Sequence, residues 1–274
     1  MLVDTHCHLD FDSFDLDRDR ILERARHAGV GCMINPGVDV ESSRRAVELA
    51  DRYPEVYAAV GIHPNEALCW SKSVYSHLSR LCSHPKVVAI GEIGLDHYRN
   101  RASREQQMEA FKAQLALAAE TGKPVIIHSR NASKDDPSAV EDVLEMLAHW
   151  QEELGSAPPA HPPAAGVLHS YSGNLDQARR AVQLGFYIGI TGPVTFKNGA
   201  ALREMAAALP VGNLLVETDA PFLAPHPFRG KRNEPAYLKY TLAALAQAKQ
   251  MAFEDLAEAT TQNAQRCFRW QVIP

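Results

Sequence analysis

His6 and His8 stand two residues apart at the end of a short apolar run that begins at Leu2. On an extended chain, residues at i and i+2 project to the same side, so both imidazoles can reach one ion. A His pair that meets there by chance, each ring satisfied locally, is the bland alternative. Other strand-like runs end in comparable groups: Gly61-Ile62-His63-Pro64, Gly91-Glu92-Ile93-Gly94-Leu95-Asp96, His128-Ser129-Arg130, His169-Ser170 and Glu217-Thr218-Asp219-Ala220-Pro221. Six of these side chains, His6, His8, Glu92, His128, His169 and Asp219, are imidazoles or carboxylates, enough to hold two metal ions. Such a donor mixture suits zinc, manganese or a related divalent ion rather than calcium, and a carboxylate such as Glu92 can bridge two ions roughly 3.5–4 Å apart. The opposite reading makes all six a buried polar core without function, which is an expensive thing to fold.

These groups need elements to carry them. Strand-like runs are expected at residues 2–6, 32–35, 57–61, 87–91, 125–128, 166–169, 187–190 and 214–217, with longer amphipathic stretches between them. One such stretch, 103–121, places Met108, Phe111, Leu115 and Ala118 on one face; Ser103 and Gln106 form a capping box, and Gly122 followed by Pro124 supplies the stop. Eight strand–helix units in a chain of 274 residues predict an α/β protein, a single (β/α)8 TIM barrel spanning 1–274. A helix at Phe253–Phe268 would be an extra C-terminal element that closes it. The polar groups fall at the C-terminal ends of the strands, where such a barrel builds its active site. The proline-rich stretch 155–165 interrupts the rhythm and is expected to be an exposed loop insertion.

Composition excludes several classes. With 46% hydrophobic and 22% charged residues, the chain is neither disordered nor collagenous. Five cysteines without a C-x-x-C pair suggest neither a disulfide framework nor a zinc knuckle. No run approaches the ~18 apolar residues of a membrane span, and Asp4, His6, His8 and Asp10 occupy the place of a signal peptide, so a cytoplasmic protein without membrane contact is expected. A net charge of −5 argues against a broad basic face for nucleic acid, so a polyanion would need a local attractor, which a bound metal supplies.

The motifs VDTHCHLD (3–10), GIHP (61–64), GEIGLD (91–96), VIIHSR (125–130), VLHSYSG (167–173), VETDAP (216–221), RNEP (232–235) and TQNA (261–264) resemble, in order and spacing, those of the TatD-type metal-dependent deoxyribonucleases of the amidohydrolase superfamily. The resemblance spans essentially the whole chain. It implies a barrel hydrolase of DNA phosphodiesters with two, in some members three, divalent ions (Mg, Mn or Zn), cutting single-stranded DNA from the 3′ end and in some members abasic or oxidised sites. By position, His6, His8 and Asp219 resemble the ligands of one ion, His128 and His169 those of the second, and Glu92 the bridge. His63, Arg232 and Asn233 resemble groups that handle the substrate phosphate. Asp219, Glu92 and His63 would then carry catalysis, with Asp219 taking the proton of the attacking water.

Individual members keep simpler readings: His63 before Pro64 can merely end a strand, Asp96 can cap a loop, and Asn263 reads as structural. Where the family often has Cys and Phe, this chain has Ser170 and Tyr171, which removes no ligand. His97, His149, His161 and His226 match no motif position. The same centre could instead serve a D-aminoacyl-tRNA deacylase or a small-molecule amide or ester hydrolase, since the barrel does not choose the bond. A catalytically silent metal-binding scaffold is the reading from another class. A DNA substrate with single-stranded ends and a monomer are the expected partner and state.

Overall fold

The computed structural model describes residues 1–99, 101–133, 135–156 and 166–269. Among them, eight parallel strands pair in sequence order: β1 (Leu2–Asp4), β2 (Val30–Pro36), β3 (Val56–Val60), β4 (Val87–Asp96), β5 (Val125–Arg130), β6 (Gly166–Leu168), β7 (Tyr187–Ile190) and β8 (Leu214–Val216). Helices α1 (Arg18–His27), α2 (Val40–Arg52), α3 (Lys72–Leu81), α4 (Arg104–Thr121), α5 (Ser138–Ser156), α6 (Leu175–Gln183), α7 (Ala200–Ala208) and α8 (Leu238–Lys249) follow the successive strands, and α9 (Phe253–Phe268) is the additional one. Together they form the (β/α)8 barrel. Most of the 155–165 insertion, residues 157–165, lies outside the described residues; Gly155 and Ser156 end α5.

Strand alternation sorts the apolar side chains into two sets. Leu2, Met33, Ala58, Val60, Ile90 and Ile127 join the large cluster shared with the helices. Val3, Ile34, Ala59, Ile126, Val167 and Leu215 form a second, smaller cluster with Ala264, Cys267 and Phe268 of α9. Helix α9, which packs on β1 and β8, therefore plugs the end of the barrel where the strands begin. Asn263 fastens it there, donating to the carbonyls of Val211 and Leu214 at 2.8 Å each.

Two local differences from the sequence reading bear on the site. Strand β4 runs on to Asp96, five residues past the expected end, because its last four residues pair with β5 (Ile93 to Ile127, Asp96 to Arg130). Gly94 makes this approach feasible: its φ is +135°, and a Cβ there would be driven into the His128 carbonyl. Helix α4 has the expected Ser103–Gln106 capping box and a left-handed Gly122 stop, and it buries Phe111, Leu115 and Ala118 of the expected face but not Met108. Met108 is 39% exposed, whereas Gln107 and Gln114 are buried. Gln114 exchanges hydrogen bonds with the Ile62 backbone (2.7 and 3.1 Å), so a polar side chain occupies a core-facing position because it satisfies a strand end.

Candidate metal centre

The barrel closes between the ends of β1 and β8, and His6, His8 and Asp219 lie along that seam. Asp4 accepts from the Thr218 hydroxyl (2.6 Å) and backbone N–H (2.9 Å), and Thr5 Oγ1 donates to Glu217 Oε1 (3.2 Å). Backbone bonds continue past both strands: Asp219 N donates to His6 O (2.9 Å) and His8 N to Ala220 O (2.7 Å). Asp219 is held by them in the left-handed region, φ 55°, a conformation that costs a non-glycine residue roughly 1–2 kcal/mol. Burial pushes the Asp4 carboxyl up to about 7 despite its Thr218 partners.

His6 Nε2 and His8 Nε2 lie 3.2 Å apart. Glu92 Oε2 stands 3.4 and 3.7 Å from them, and Asp219 Oδ1 3.8 and 3.6 Å. An ion with bonds of about 2.1 Å sets tetrahedral ligands about 3.4 Å apart. These five separations, 3.2 to 3.8 Å, bracket that edge length, and the donor atoms of His6, His8 and Glu92 lie within 4.8 Å of one another, a spacing compatible with a shared divalent ion. The Nδ1 atoms of both histidines are buried without a hydrogen-bond partner. Burial and the neighbouring His169 push the His6 ring down to about 4, which leaves its lone pair available.

Glu92 turns its other oxygen the opposite way. Oε1 is 2.8 Å from His128 Nδ1 and 3.6 Å from His63 Nε2, while His128 Nε2 is 3.3 Å from Asp96 Oδ2. Burial would raise the Glu92 carboxyl, but the surrounding His63, His6 and His128 overcome it and hold it well below the ordinary range. The reverse balance acts on His128: burial opposes its charge, yet Asp96 and Glu92 pull it up to about 9. His63 differs from the other rings. Its Nδ1 accepts from the Asn65 N–H at 3.0 Å, and burial pushes it down to about 3, so the neutral ring carries its proton on Nε2. As placed, it is a hydrogen-bond donor facing the cluster.

His169 stacks on His6 (ring centres 3.3 Å, 16° between planes) and points Nε2 at Asp219 Oδ1, 3.6 Å away. Its Nδ1 is 2.8 Å from Glu217 Oε2; burial opposes the charged ring, but Glu217 and Asp219 raise it to about 9. The donors thus form three overlapping groups, His6/His8/Glu92, His6/His169/Asp219 and His63/Glu92/His128, each with ligand atoms within 4.8 Å. The sequence reading pairs His169 with His128; the geometry sets it beside His6 and Asp219.

Arg232 and Asn233 are engaged elsewhere. Arg232 makes a two-pronged ion pair with Asp17 (2.9 and 2.6 Å) and also bonds the Ser13 carbonyl. Asn233, fully buried, donates to the carbonyls of Thr218 (2.8 Å) and Phe222 (2.7 Å), which braces the loop after Asp219. Asp96 both caps its own loop and touches His128. Sequence reasoning missed Glu217 and Asp4 as supports. The period-two pattern is the signal for Glu217, since it continues the face of Leu215 just past the end of β8.

Among the described residues, no helix is long and apolar enough to cross a membrane. Residues 3–269 match the protein family described as TatD related DNase. The chain is 41% identical to an uncharacterised metal-dependent hydrolase, YabD, of Bacillus subtilis over 98% of this chain and 99% of that protein. It is 36% identical to a 3′-5′ ssDNA/RNA exonuclease, TatD, of Klebsiella pneumoniae, covering 97% of each. The crystal structure of YJJV, a TatD homologue of Escherichia coli, superposes with a TM-score of 0.88 at 34% identity and 98% coverage of both chains.

Proposed function

The chain belongs to the family of TatD related DNases, and on that premise we propose that this metal-dependent nuclease removes nucleotides from the 3′ ends of single-stranded DNA. The observation that carries the reading is Glu92, which offers one oxygen to His6 and His8 and the other to His128, beside a His63 that presents a proton. His6, His8, Glu92 and Asp219 would hold one ion. Glu92 and His128 would take part in holding a second, with His169 turned towards the Asp219 side. Divalent ions in these places would neutralise phosphate charge and lower the pKa of water.

The protein's own groups supply the rest. Asp219 is kept ionised: burial would raise its carboxyl, but His8, His169 and His6 hold it down. It is the group to accept the proton of the attacking water. His63 donates its Nε2 hydrogen to a phosphoryl oxygen, where charge grows during the reaction. Glu217 holds His169 with its proton on Nδ1, which turns Nε2 inward. Residues 1–274 act in this reading as one hydrolase unit.

The test is a panel of labelled single-stranded, duplex, abasic and aminoacyl-RNA substrates incubated with Mg, Mn or Zn. A 5′-labelled single strand should shorten stepwise, and a 3′ label should leave as a mononucleotide. Release of the amino acid from aminoacyl-RNA with no DNA cleavage would replace this reading by an esterase.

A further inference from the structure

The segment that follows β4 reads His-Tyr-Arg-Asn-Arg-Ala-Ser-Arg from residue 97 to 104, three arginines and no acid in a chain of net charge −5. It is anchored directly to the metal centre. Asp96, whose Oδ2 faces His128 at 3.3 Å, accepts with Oδ1 from the backbone N–H of Tyr98 (2.9 Å) and Arg99 (2.8 Å). The buried Gln107 fixes both ends of the loop: it accepts from Asp96 N (2.8 Å) and donates to the carbonyls of Asp96 (3.1 Å) and Ala102 (3.0 Å). Next to it, His97 N donates to Arg130 O at 2.9 Å, which joins the loop to the end of β5.

This clamped loop holds a large aromatic side chain out in solvent. Tyr98 is 58% exposed, and the Arg130 guanidinium lies 4.0 Å from its ring centre. Arg99 and Arg130 are exposed, and among the described residues neither is ion-paired, whereas Arg101 meets Glu66 at 3.4 Å. An exposed aromatic ring beside guanidinium groups that meet no carboxylate is the combination that binds single-stranded nucleic acid: the ring face turned away from Arg130 can stack a base and the cations can hold the backbone. Duplex bases are already stacked, so the pair favours a single strand.

We infer that Tyr98, Arg99 and Arg130 form a subsite for the nucleotide adjoining the scissile phosphate, with its base stacked on Tyr98 and its phosphate held by the two arginines. The inference rests on the nuclease reading for its substrate class. It makes Tyr98 a positioning residue, acting on strand binding and not on the reacting atoms.

The test uses the metal-loaded protein and an oligothymidylate that carries 2-aminopurine near its 3′ end and hydrolysis-resistant phosphorothioates at the terminal linkages. Binding to the parent should quench 2-aminopurine fluorescence by stacking. Tyr98→Ala should lose the quench and bind about tenfold more weakly, the scale of one base–aromatic stack, while metal content and thermal midpoint hold. Tyr98→Phe should restore both, and Tyr98→Leu, apolar but without a ring, should not. Arg130→Ala should lower the slope of log affinity against log salt by about one. With cleavable oligonucleotides the Tyr98→Ala loss should fall on KM and leave kcat within about twofold, since stacking is made before the chemical step. Parental quench and affinity in Tyr98→Ala, or a parent that does not bind or quench, overturns the subsite. A parent that binds with a Tyr98-dependent quench but cuts nothing in Mg, Mn or Zn supports the subsite and contradicts the nuclease reading instead.

Discussion

The two ends of the barrel interior differ by one step along the same strands. Ile126 and His128, Val167 and His169, and Leu215 and Glu217 are pairs two residues apart, so each pair shares a strand face and lies about 6.6 Å apart. The first member packs in the apolar cluster under α9, and the second stands among the buried imidazoles and carboxylates of the mouth. The apolar layer gains stability from every contact, whereas the polar layer carries burial costs that hydrogen bonds and ions must offset. Substitutions in one layer should therefore register as stability, and in the other as metal binding and rate.

The sharpest break between the layers is expected at Asp219. Asp219→Asn keeps the shape but cannot take a proton, so kcat should fall by about 10²–10⁴, with substrate binding and melting temperature nearly kept, in single-turnover assays and calorimetry. At the other end, Phe268→Ala removes a ring that is 3% exposed and should cost about 3 kcal/mol in denaturant unfolding. Turnover per folded, metal-loaded molecule should stay at the parental level. If Phe268→Ala depletes the metal without destabilising the fold, the two layers are not separable in this way.

His63→Ala should weaken transition-state stabilisation by roughly 1.5–3 kcal/mol without loss of metal by elemental analysis, the scale of a charge-assisted hydrogen bond. A metal-depleted variant would move His63 from the substrate to the ion. A further expectation concerns the pH dependence of metal binding. His128 and His169 are held up at about 9 in the metal-free protein, so a binding ion must displace their protons. Affinity should rise with pH from about 6.5 to 9, by about a decade per unit for each proton released, and calorimetry in buffers of different ionisation enthalpy should count those protons. In the metal-free state the same raised pKa values stabilise the fold fully below about 6.5, and that contribution fades as pH rises through 9. Metal affinity that is flat across this range would contradict the charged pairs.

The apolar end was the more legible one. Strand β7 and helix α9 fall where hydrophobic pattern alone places them, and the capping box at Ser103 and Gln106 marks the start of α4. The mouth was legible as a set of residue types but not as a set of contacts. Glu217 reaches Thr5 across 212 positions and Asp4 reaches Thr218 across 214, separations that no local period encodes. Gln107 and Met108 exchange the burial that polarity suggests, because Gln107 has backbone partners at the end of β4. The expected strand stops at Gly91, yet Gly94 is what lets β4 run on beside His128.

The most direct test follows cleavage and fold in one sample as metal is removed and returned. The purified protein is treated with a chelator, assayed on a labelled single-stranded oligonucleotide with far-UV dichroism read in parallel, and then supplied with Mg, Mn or Zn. The barrel has its own apolar core, so cleavage should vanish on chelation and return with at least one ion while the dichroism stays nearly constant. Cleavage that persists in the metal-free protein, or a chain that unfolds outright without metal, would contradict the assignment of the mouth as a catalytic metal centre.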